Sequence, residues 1–501
     1  MRRLLCLLTA LLLVASCSLT CAVGEQSASG VIYEIFVASF ADSNGDGCGD
    51  LQGIIDKLDY IESLGISTIW LMPIHPSLSY HKYDVLDYCQ VDASYGTLED
   101  FDALVAACGA RGISVMLDLV VNHTSSEHPW FLAACDALRS GTDSPYTAWY
   151  HFSHNSSQHP VPGTEDWYYE GAFGYHMPDL NLDNEAVRAQ IADIMAFWQG
   201  HGVKGFRLDA VTSYYTGADR SNTDFLRFLN ESAKQFDPDC YLVGEAWTTA
   251  QSILTMYESG IDSLFGFPNA DQSGVLVKAA SSGNGKAVAT RLADYQAQIR
   301  AVSPASVDAP FLTNHDIARV RGMLRSDVQK LKAAAMLYLM LPGRPTVYYG
   351  EELGMSGSGR DENKRLPMLW SAADAEGMCN PPQDADQKQR LKEGVDMQDA
   401  DPDSLLNTYR QLIALRRQSS VFIGGQMNAL DTGFDSICCF TVTDHGQAVL
   451  YAANVGTEEI TLEKERLHDG AWTLLGAVGN ALTDDGSVTL APVSCILFAV
   501  E

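Results

Sequence analysis

Four short strings spaced along the chain, DLVVNH ending at His123, GFRLDAV around Asp209, VGEAW around Glu245 and FLTNHD ending at Asp316, put three carboxylates at the ends of separate apolar segments. Most carboxylates are solvated surface groups. These three differ because each follows a run that reads as a buried parallel strand: VKGFRLDA, CYLVGEA and APFLTN, with ISVMLDLVV before His123. Burying several carboxylates together is costly unless they do chemistry. Paired carboxylates are the equipment for displacement at an acetal carbon, of which a glycosidic bond is one.

Elements of one kind must hold these groups. Strands are expected at VIYEIFVASF, STIWLMP, ISVMLDLVV, VKGFRLDAV, CYLVGEAW, SLFGFP, APFLTN and PTVYYG, each short, apolar and rich in β-branched or aromatic residues. Helical periodicity lies between them, as in Leu98, Phe101, Leu104, Val105 and Cys108, or Val187, Ile191, Ile194, Met195 and Trp198. Eight such units are the count of a closed (β/α)8 TIM barrel, an α/β fold whose active site lies at the C-terminal strand ends. Two segments break the repeat. Residues 124–181 are rich in aromatics, His, Ser, Gly and Pro without helical period, and a loop that long is usually functional. Beyond 421 the runs DSICCFTVT, AVLYAANV, EEITLE and SVTLAP read as an antiparallel β-sandwich. The expected division is a barrel over 30–123 and 182–420, an inserted domain over 124–181 and a C-terminal sandwich over 421–501.

In that order and on those strands, the four strings resemble the conserved regions of glycoside hydrolase family 13, the α-amylase family. The resemblance runs from about Val31 to Glu501. It implies that Asp209 is the nucleophile, Glu245 the general acid/base and Asp316 the stabiliser of the transition state. The physical reasons agree. Arg207 and Asp209, two apart on a strand, face the same way, and an adjacent guanidinium favours the ionised carboxylate. Glu245 must hold a proton, and neighbouring aspartates help it do so. The resemblance further implies sugar contacts from His123 and His315, from Tyr83 as a stacking ring, and from nearby His81 and Asp84. Lys82 stands where a glycine is common in the family. Arg319 and Glu351 also match family positions, as supports behind the substrate contacts.

The loop DSNGDGCGD spaces Asp42, Asn44, Asp46, Cys48 and Asp50 two residues apart, a pattern of oxygen ligands for Ca2+ with Cys48 contributing only its carbonyl. Gly53 at position twelve, where an EF-hand carries Glu, disfavours a true EF-hand. Continuing into LQGI, the loop is similar to the calcium loop of the oligo-1,6-glucosidase and neopullulanase branches. A second calcium site near Asn122, found in many family members, uses a histidine where this chain has Ser213; Thr212 replaces a common lysine.

Composition bounds the rest. The chain has 501 residues, of which 46% are hydrophobic and 19% charged, an ordinary globular balance. Its formal charge of −30 repels phosphate backbones, so nucleic acid is excluded as a partner. The start, MRRLLCLLTALLLVASC, reads as an export signal over 1–16, and Val14-Ala15-Ser16-Cys17 resembles a lipobox. Cys17 would then be diacylated at the outer face of a bacterial membrane, with residues 17–29 as a tether, and loss of Arg2 and Arg3 would leave a charge of −32. The twelve cysteines fit neither a disulfide framework nor a zinc pattern.

The bond cut is expected to be α-1,4. MPDLN, Met177 to Asn181, is similar to the fifth region of the group intermediate between oligo-1,6-glucosidases and neopullulanases. Ala210, directly after the nucleophile, resembles α-1,4-acting members, where α-1,6-specific ones carry valine. The expected protein is thus a monomeric, endo-acting, retaining hydrolase of starch and maltooligosaccharides. The alternatives are neopullulanase, maltogenic or oligo-1,6-glucosidase activity on short glucans, or a non-catalytic glucan-binding or transport-subunit relative.

Overall fold

The computed structural model describes residues 29–373, 376–388 and 391–501. The expected signal segment, Cys17 and the expected tether as far as residue 28 lie outside the described residues. Eight parallel strands form one sheet: β1 (Ile32–Ile35), β2 (Thr68–Leu71), β3 (Ser114–Leu119), β4 (Gly205–Leu208), β5 (Tyr241–Gly244), β6 (Ser263–Phe265), β7 (Val307–Ala309) and β8 (Thr346–Tyr348). Their order is β7-β6-β5-β4-β3-β2-β1-β8. The ring closes through the bridge between Phe311 and Thr346, where Thr346 N donates to Pro310 O at 2.9 Å. The fold is a TIM barrel.

One strand differs from its expected place. β7 is Val307–Ala309 and stops where APFLTN was expected to begin. Pro310 has no N–H to give a ladder, so the chain leaves the sheet there. Beyond the single bridge at Phe311, residues Leu312 to Asn314 carry the chain to His315 and Asp316.

Alternation along the strands sorts side chains into two layers. Ile32, Trp70, Met116, Tyr241, Val243, Phe265 and Ala309 pack inside the barrel, while Tyr33, Ile69, Leu117, Phe206 and Leu208 join the larger core beneath the helices. In register, Met116 pairs with Gly205 and Asp118 with Arg207. Asp118 and Arg207 therefore continue the inner row, one step nearer the C-terminal ends. The barrel interior turns from apolar to charged at that level.

The segment 124–181 holds three two-residue strands, Phe152–Ser153, His159–Pro160 and Tyr168–Tyr169, as one small sheet. It also contains a helix, Pro129–Ser140, which corrects the expectation of no helical structure there. His128 caps its start by accepting from Trp130 N, Pro129 occupies the first turn, and Gly141 closes it at φ 63°. Its buried face is Phe131, Ala134, Cys135 and Ala137. Small residues on the inner face hid the period.

The C-terminal part stacks a five-stranded antiparallel sheet on a three-stranded one. The five strands include Ile437–Asp444, Gln447–Asn454 and Ser494–Val500. Cys439, Leu450, Ile496 and Phe498 face the smaller sheet, and Cys438, Phe440, Tyr451 and Leu497 face the barrel. Tyr451 OH donates to Met336 O at 2.9 Å across that junction. Arg416, fully buried at the end of helix Leu405–Arg416, donates to the carbonyls of Ser29, Leu339, Leu341, Gly343 and Phe422. Five carbonyls satisfy a buried guanidinium whose burial pushes its pKa down to about 9. Among the described residues no helix is long and apolar enough to cross a membrane.

Candidate active site

Asp209 and Glu245 are the first residues beyond β4 and β5, and Asp316 lies seven residues beyond β7. All three line one cleft of about 450 Å³, with His81, Tyr83, His123, Arg365 and Trp247 among its other walls. Arg207 lies beneath it, fully buried, with Nη1 2.8 Å from Asp118 Oδ1 and 2.5 Å from Asp209 Oδ1, and Nη2 3.0 Å from Glu245 Oε2. One guanidinium thus indexes three carboxylates to a single plane. Ala210, held in the left-handed region at φ 44°, turns its N–H onto Glu245 Oε2 at 2.9 Å. That strained residue ties the end of β4 to the end of β5.

The environments separate the acids. Burial pushes Glu245 up to about 7, with Asp209 and Asp316 adding to the rise against the pull of Arg207. Burial raises Asp118 to about 7 as well. Asp316 is held far below the ordinary carboxylate range: burial acts the other way, but His315, Arg365 and Arg207 outweigh it. His315 Nε2 is 3.0 Å from Asp316 Oδ2, and Arg365 Nη2 donates to Asp316 Oδ1 at 2.9 Å. Below about pH 7 this site holds a carboxylic acid and a fixed carboxylate side by side.

The aromatic and histidine residues divide into wall and frame. The Tyr83 ring stacks on His315 at a centroid distance of 5.7 Å, and its hydroxyl reaches Asp118 Oδ2 at 3.1 Å and His315 Nε2 at 2.8 Å. Burial lowers the pKa of His123, whose Nε2 lies on Tyr83 O at 3.2 Å. His81 accepts from Tyr83 N at Nδ1, 3.1 Å away, which leaves Nε2 as its protonated nitrogen; burial and then Arg365 push its pKa down to about 4. Asp84 and His315, expected as sugar contacts, and Arg207 and Arg319, expected beside them, are not among the residues lining the cleft. Asp84 is buried against the hydroxyls of Ser77 and Ser79. Arg319 donates to Tyr349 O at 2.6 Å and Lys364 O at 3.0 Å and lies over Tyr348. Glu351, also buried, accepts from the hydroxyls of Tyr338 and Tyr409. Lys82 has φ 63°, the conformation that makes glycine common there, and points its ammonium to Asp92 at 2.6 Å.

Several site residues lie outside the reading from motifs. Asp118 opens the string DLVVNH, but only its register with Arg207 brings it under the site. Glu34 on β1 and Arg365 beyond β8 come from the opposite ends of the barrel, and no local spacing announces them. Trp247 stacks on Phe267, and Phe173 approaches His123 from the inserted segment. At 56% and 44% exposed, these two offer ring faces to the cleft.

The profile described as alpha amylase, catalytic domain, matches residues 34–425. The chain belongs to glycoside hydrolase family 13, the α-amylase family. It is 35% identical to Alpha-amylase 3 of Dictyoglomus thermophilum over 94% of this chain and 93% of that one. It is 30% identical to the Oligo-1,6-glucosidase of Heyndrickxia coagulans over 94% and 98%. Among solved structures, Eubacterium rectale Amy13B superposes with a TM-score of 0.89 at 40% identity, covering 94% of this chain and 95% of its own. An alpha-amylase from H.orenii gives 0.82 at 33%, covering 95% and 100%. The protein is therefore a glycoside hydrolase of this family.

The Asp-rich loop folds its side chains onto its own backbone. Asp42 accepts from the N–H groups of Asn44, Gly45 and Gly47, and Asp50 Oδ2 accepts from Ser43. Asp50 Oδ1 caps the next helix through Gly53 N at 2.6 Å. Among the described residues no three His, Cys, Asp or Glu side chains are grouped to hold a metal, so a cation here would rely on Asn44 and carbonyl oxygens as well. The donors are all oxygen, and the buried carboxylates of Asp42 and Asp50 have no ion-pair partner among the described residues. That set fits a hard cation. At the second family position, Asn122 Nδ2 donates directly to Asp179 Oδ1 at 3.0 Å. The nine cysteines among the described residues are free thiols.

Proposed function

We propose that this hydrolase is an endo-acting, retaining enzyme that cuts α-1,4-glucosidic bonds in starch and maltooligosaccharides. The observation that carries the reading is the pair of exposed rings, Trp247 and Phe173, in the same cleft wall as Asp209 and Glu245. Tyr175, 69% exposed, lies two residues beyond Phe173. Rings of this kind stack on sugars, and rings beyond the cleaved unit reward a chain rather than a disaccharide. The likeness to two proteins named alpha-amylase, at 35% and 33% identity, supports the same choice.

The mechanism follows from the protonation states. Glu245, protonated below about pH 7, gives its proton to the glycosidic oxygen while Asp209 attacks the anomeric carbon. The leaving sugar departs as an alcohol, and a glycosyl ester on Asp209 remains. Glu245, now a carboxylate, takes a proton from water, whose oxygen attacks the same carbon and frees Asp209. Asp316, held anionic by His315 and Arg365, faces the positive charge that develops on the sugar.

In this reading Ca2+ occupies the Asp42 to Asp50 loop, and the protein is a monomer held at the outer face of a bacterial membrane by acyl chains on Cys17. The deciding experiment is chromatography of early products from starch, pullulan, maltotriose and isomaltose. A spread of chain lengths from starch is expected. Glucose from isomaltose with starch untouched would overturn the linkage, and glucan binding without release of reducing sugar would make the protein non-catalytic.

A further inference from the structure

β1 places one carboxylate inside the barrel that the catalytic cycle above leaves without a task. Glu34 is fully buried, and its Oε1 bonds to His315 Nδ1. Its Oε2 finds no hydrogen-bond partner among the described residues. His315 is fully buried as well, and on its other side Nε2 lies 3.0 Å from Asp316 Oδ2 and 2.8 Å from Tyr83 OH. A carboxylate can only accept, so serving one at each nitrogen takes a hydrogen on both. A neutral imidazole would serve Glu34 alone and take its other hydrogen bond from Tyr83 OH. The imidazolium serves Glu34 and Asp316 together and leaves Tyr83 to donate to Asp118 Oδ2.

The surroundings agree. Facing His315 are Glu34 from β1, the edge of the Trp70 ring from β2, Tyr83 from the loop after β2, and its own neighbour Asp316. Asp118 on β3, Arg207 on β4 and Glu245 on β5 stand one layer further off, with Arg365 behind Asp316 and Tyr348 of β8 within electrostatic reach of Glu34. Burial alone would lower the pKa of His315, but Asp316 and Glu34 raise it to about 10. Removing the Glu34 carboxylate would leave His315 with one acidic partner in a buried site that it shares with Arg207 and Arg365.

We propose that Glu34 is a positioning residue for glycosidic cleavage: its charge keeps both ring nitrogens of His315 protonated, so that Nε2–H stays on Asp316 and fixes that carboxylate in the cleft wall. Glutamine at 34 keeps the shape and an acceptor for Nδ1–H but not the charge. The ring then sheds a proton, its bare Nε2 faces Asp316, and the two repel. The proposal rests on Asp316 serving the reaction, as read above, but the state of the ring can be observed without substrate.

The test is NMR of histidine-labelled protein, with the His315 signals assigned by their loss in His315→Gln, beside pH–rate profiles of the wild type, Glu34→Gln and Glu34→Asp. In the wild type the His315 imidazolium should persist from pH 5 to 9. In Glu34→Gln it should titrate within that range, with kcat down at least tenfold at pH 8, recovering toward low pH, and KM little changed. Glu34→Asp should restore the imidazolium and part of kcat. A wild-type ring that is neutral at pH 7 would overturn the proposal whatever the variants do. So would a Glu34→Gln enzyme whose pH profile parallels the wild type. Should the enzyme prove specific for another linkage, the ring titration still stands or falls alone.

Discussion

Glu245 and Asp316 are carboxylates within one cleft that the protein drives in opposite directions, and the difference is in their neighbours. Glu245 has burial and two aspartates against one shared guanidinium; Asp316 has an imidazolium and a second guanidinium of its own. The activity therefore depends on a proton that Glu245 loses as pH rises through about 7. The kcat/KM profile should fall on its alkaline side near that value, and Glu245→Gln should flatten the limb while removing most activity. A limb two pH units higher would mean that another group supplies the proton. Asp209→Asn, which keeps the size and loses the nucleophile, should lower kcat by roughly 10⁴-fold or more, the scale on which triad nucleophiles fail. Loss of less than tenfold, measured by reducing-sugar release, would remove Asp209 from that role. At this scale the sequence was readable where one strand end carries its own chemistry, as at Arg207 and Asp209. It was silent where a partner arrives from elsewhere in the ring, as Glu34 and Arg365 do, because barrel closure and not local spacing brings them together.

Among the elements, apolar strand runs were the clearest signal, since both faces of each barrel strand are covered and the residues say so. Where the reading slipped, a local rule had been overridden. Pro310 ended β7 early, and small buried residues masked the helix Pro129–Ser140. β7 also carries an anomaly that the sequence could not explain. Asp308 points outward to the helix layer, fully buried, with neither oxygen bonded among the described residues, and burial pushes it up to about 7. An ordinary aspartate in the unfolded chain ionises near 4. The folded state thus binds a proton more tightly, and this contribution is fully present below pH 4 and is lost as pH rises to about 7. Asp308→Asn cannot ionise. It should match the wild type at pH 4 in chemical denaturation and exceed it by on the order of 4 kcal/mol at pH 8, the full span between those two pKa values. A difference that does not change with pH would mean that Asp308 is ionised or solvated in the folded protein.

The whole molecule is held together by contacts that tie remote segments to the barrel, and the Asp-rich loop is one of these. Asp42 N donates to Gly377 O at 3.2 Å and Asn380 N to Gly47 O at 2.7 Å, so the loop after β1 is laced to the segment 377–380 beyond β8. Those hydrogen bonds bring residues from the two ends of the barrel circuit to one place. The loop also sets Asp42, Asp46 and Asp50 within nine residues of a chain already at −30. A bound Ca2+ would neutralise that local charge and hold the seam shut from both sides. Ligand binding to the folded state alone adds RT ln(1 + [L]/Kd), about 2.7 kcal/mol at a hundredfold excess over Kd. Chelation should therefore lower the unfolding midpoint by several degrees in differential scanning calorimetry. Added Ca2+ should restore it, and Mg2+, which requires a tighter octahedron, should not. Asp42→Asn should sit near the chelated value and respond weakly to either treatment. If the wild type melts at one temperature with chelator, without it and with excess Ca2+, the hydrogen bonds from Asp42 and Asp50 to the backbone are sufficient, and the spacing that suggests a cation serves the turn alone.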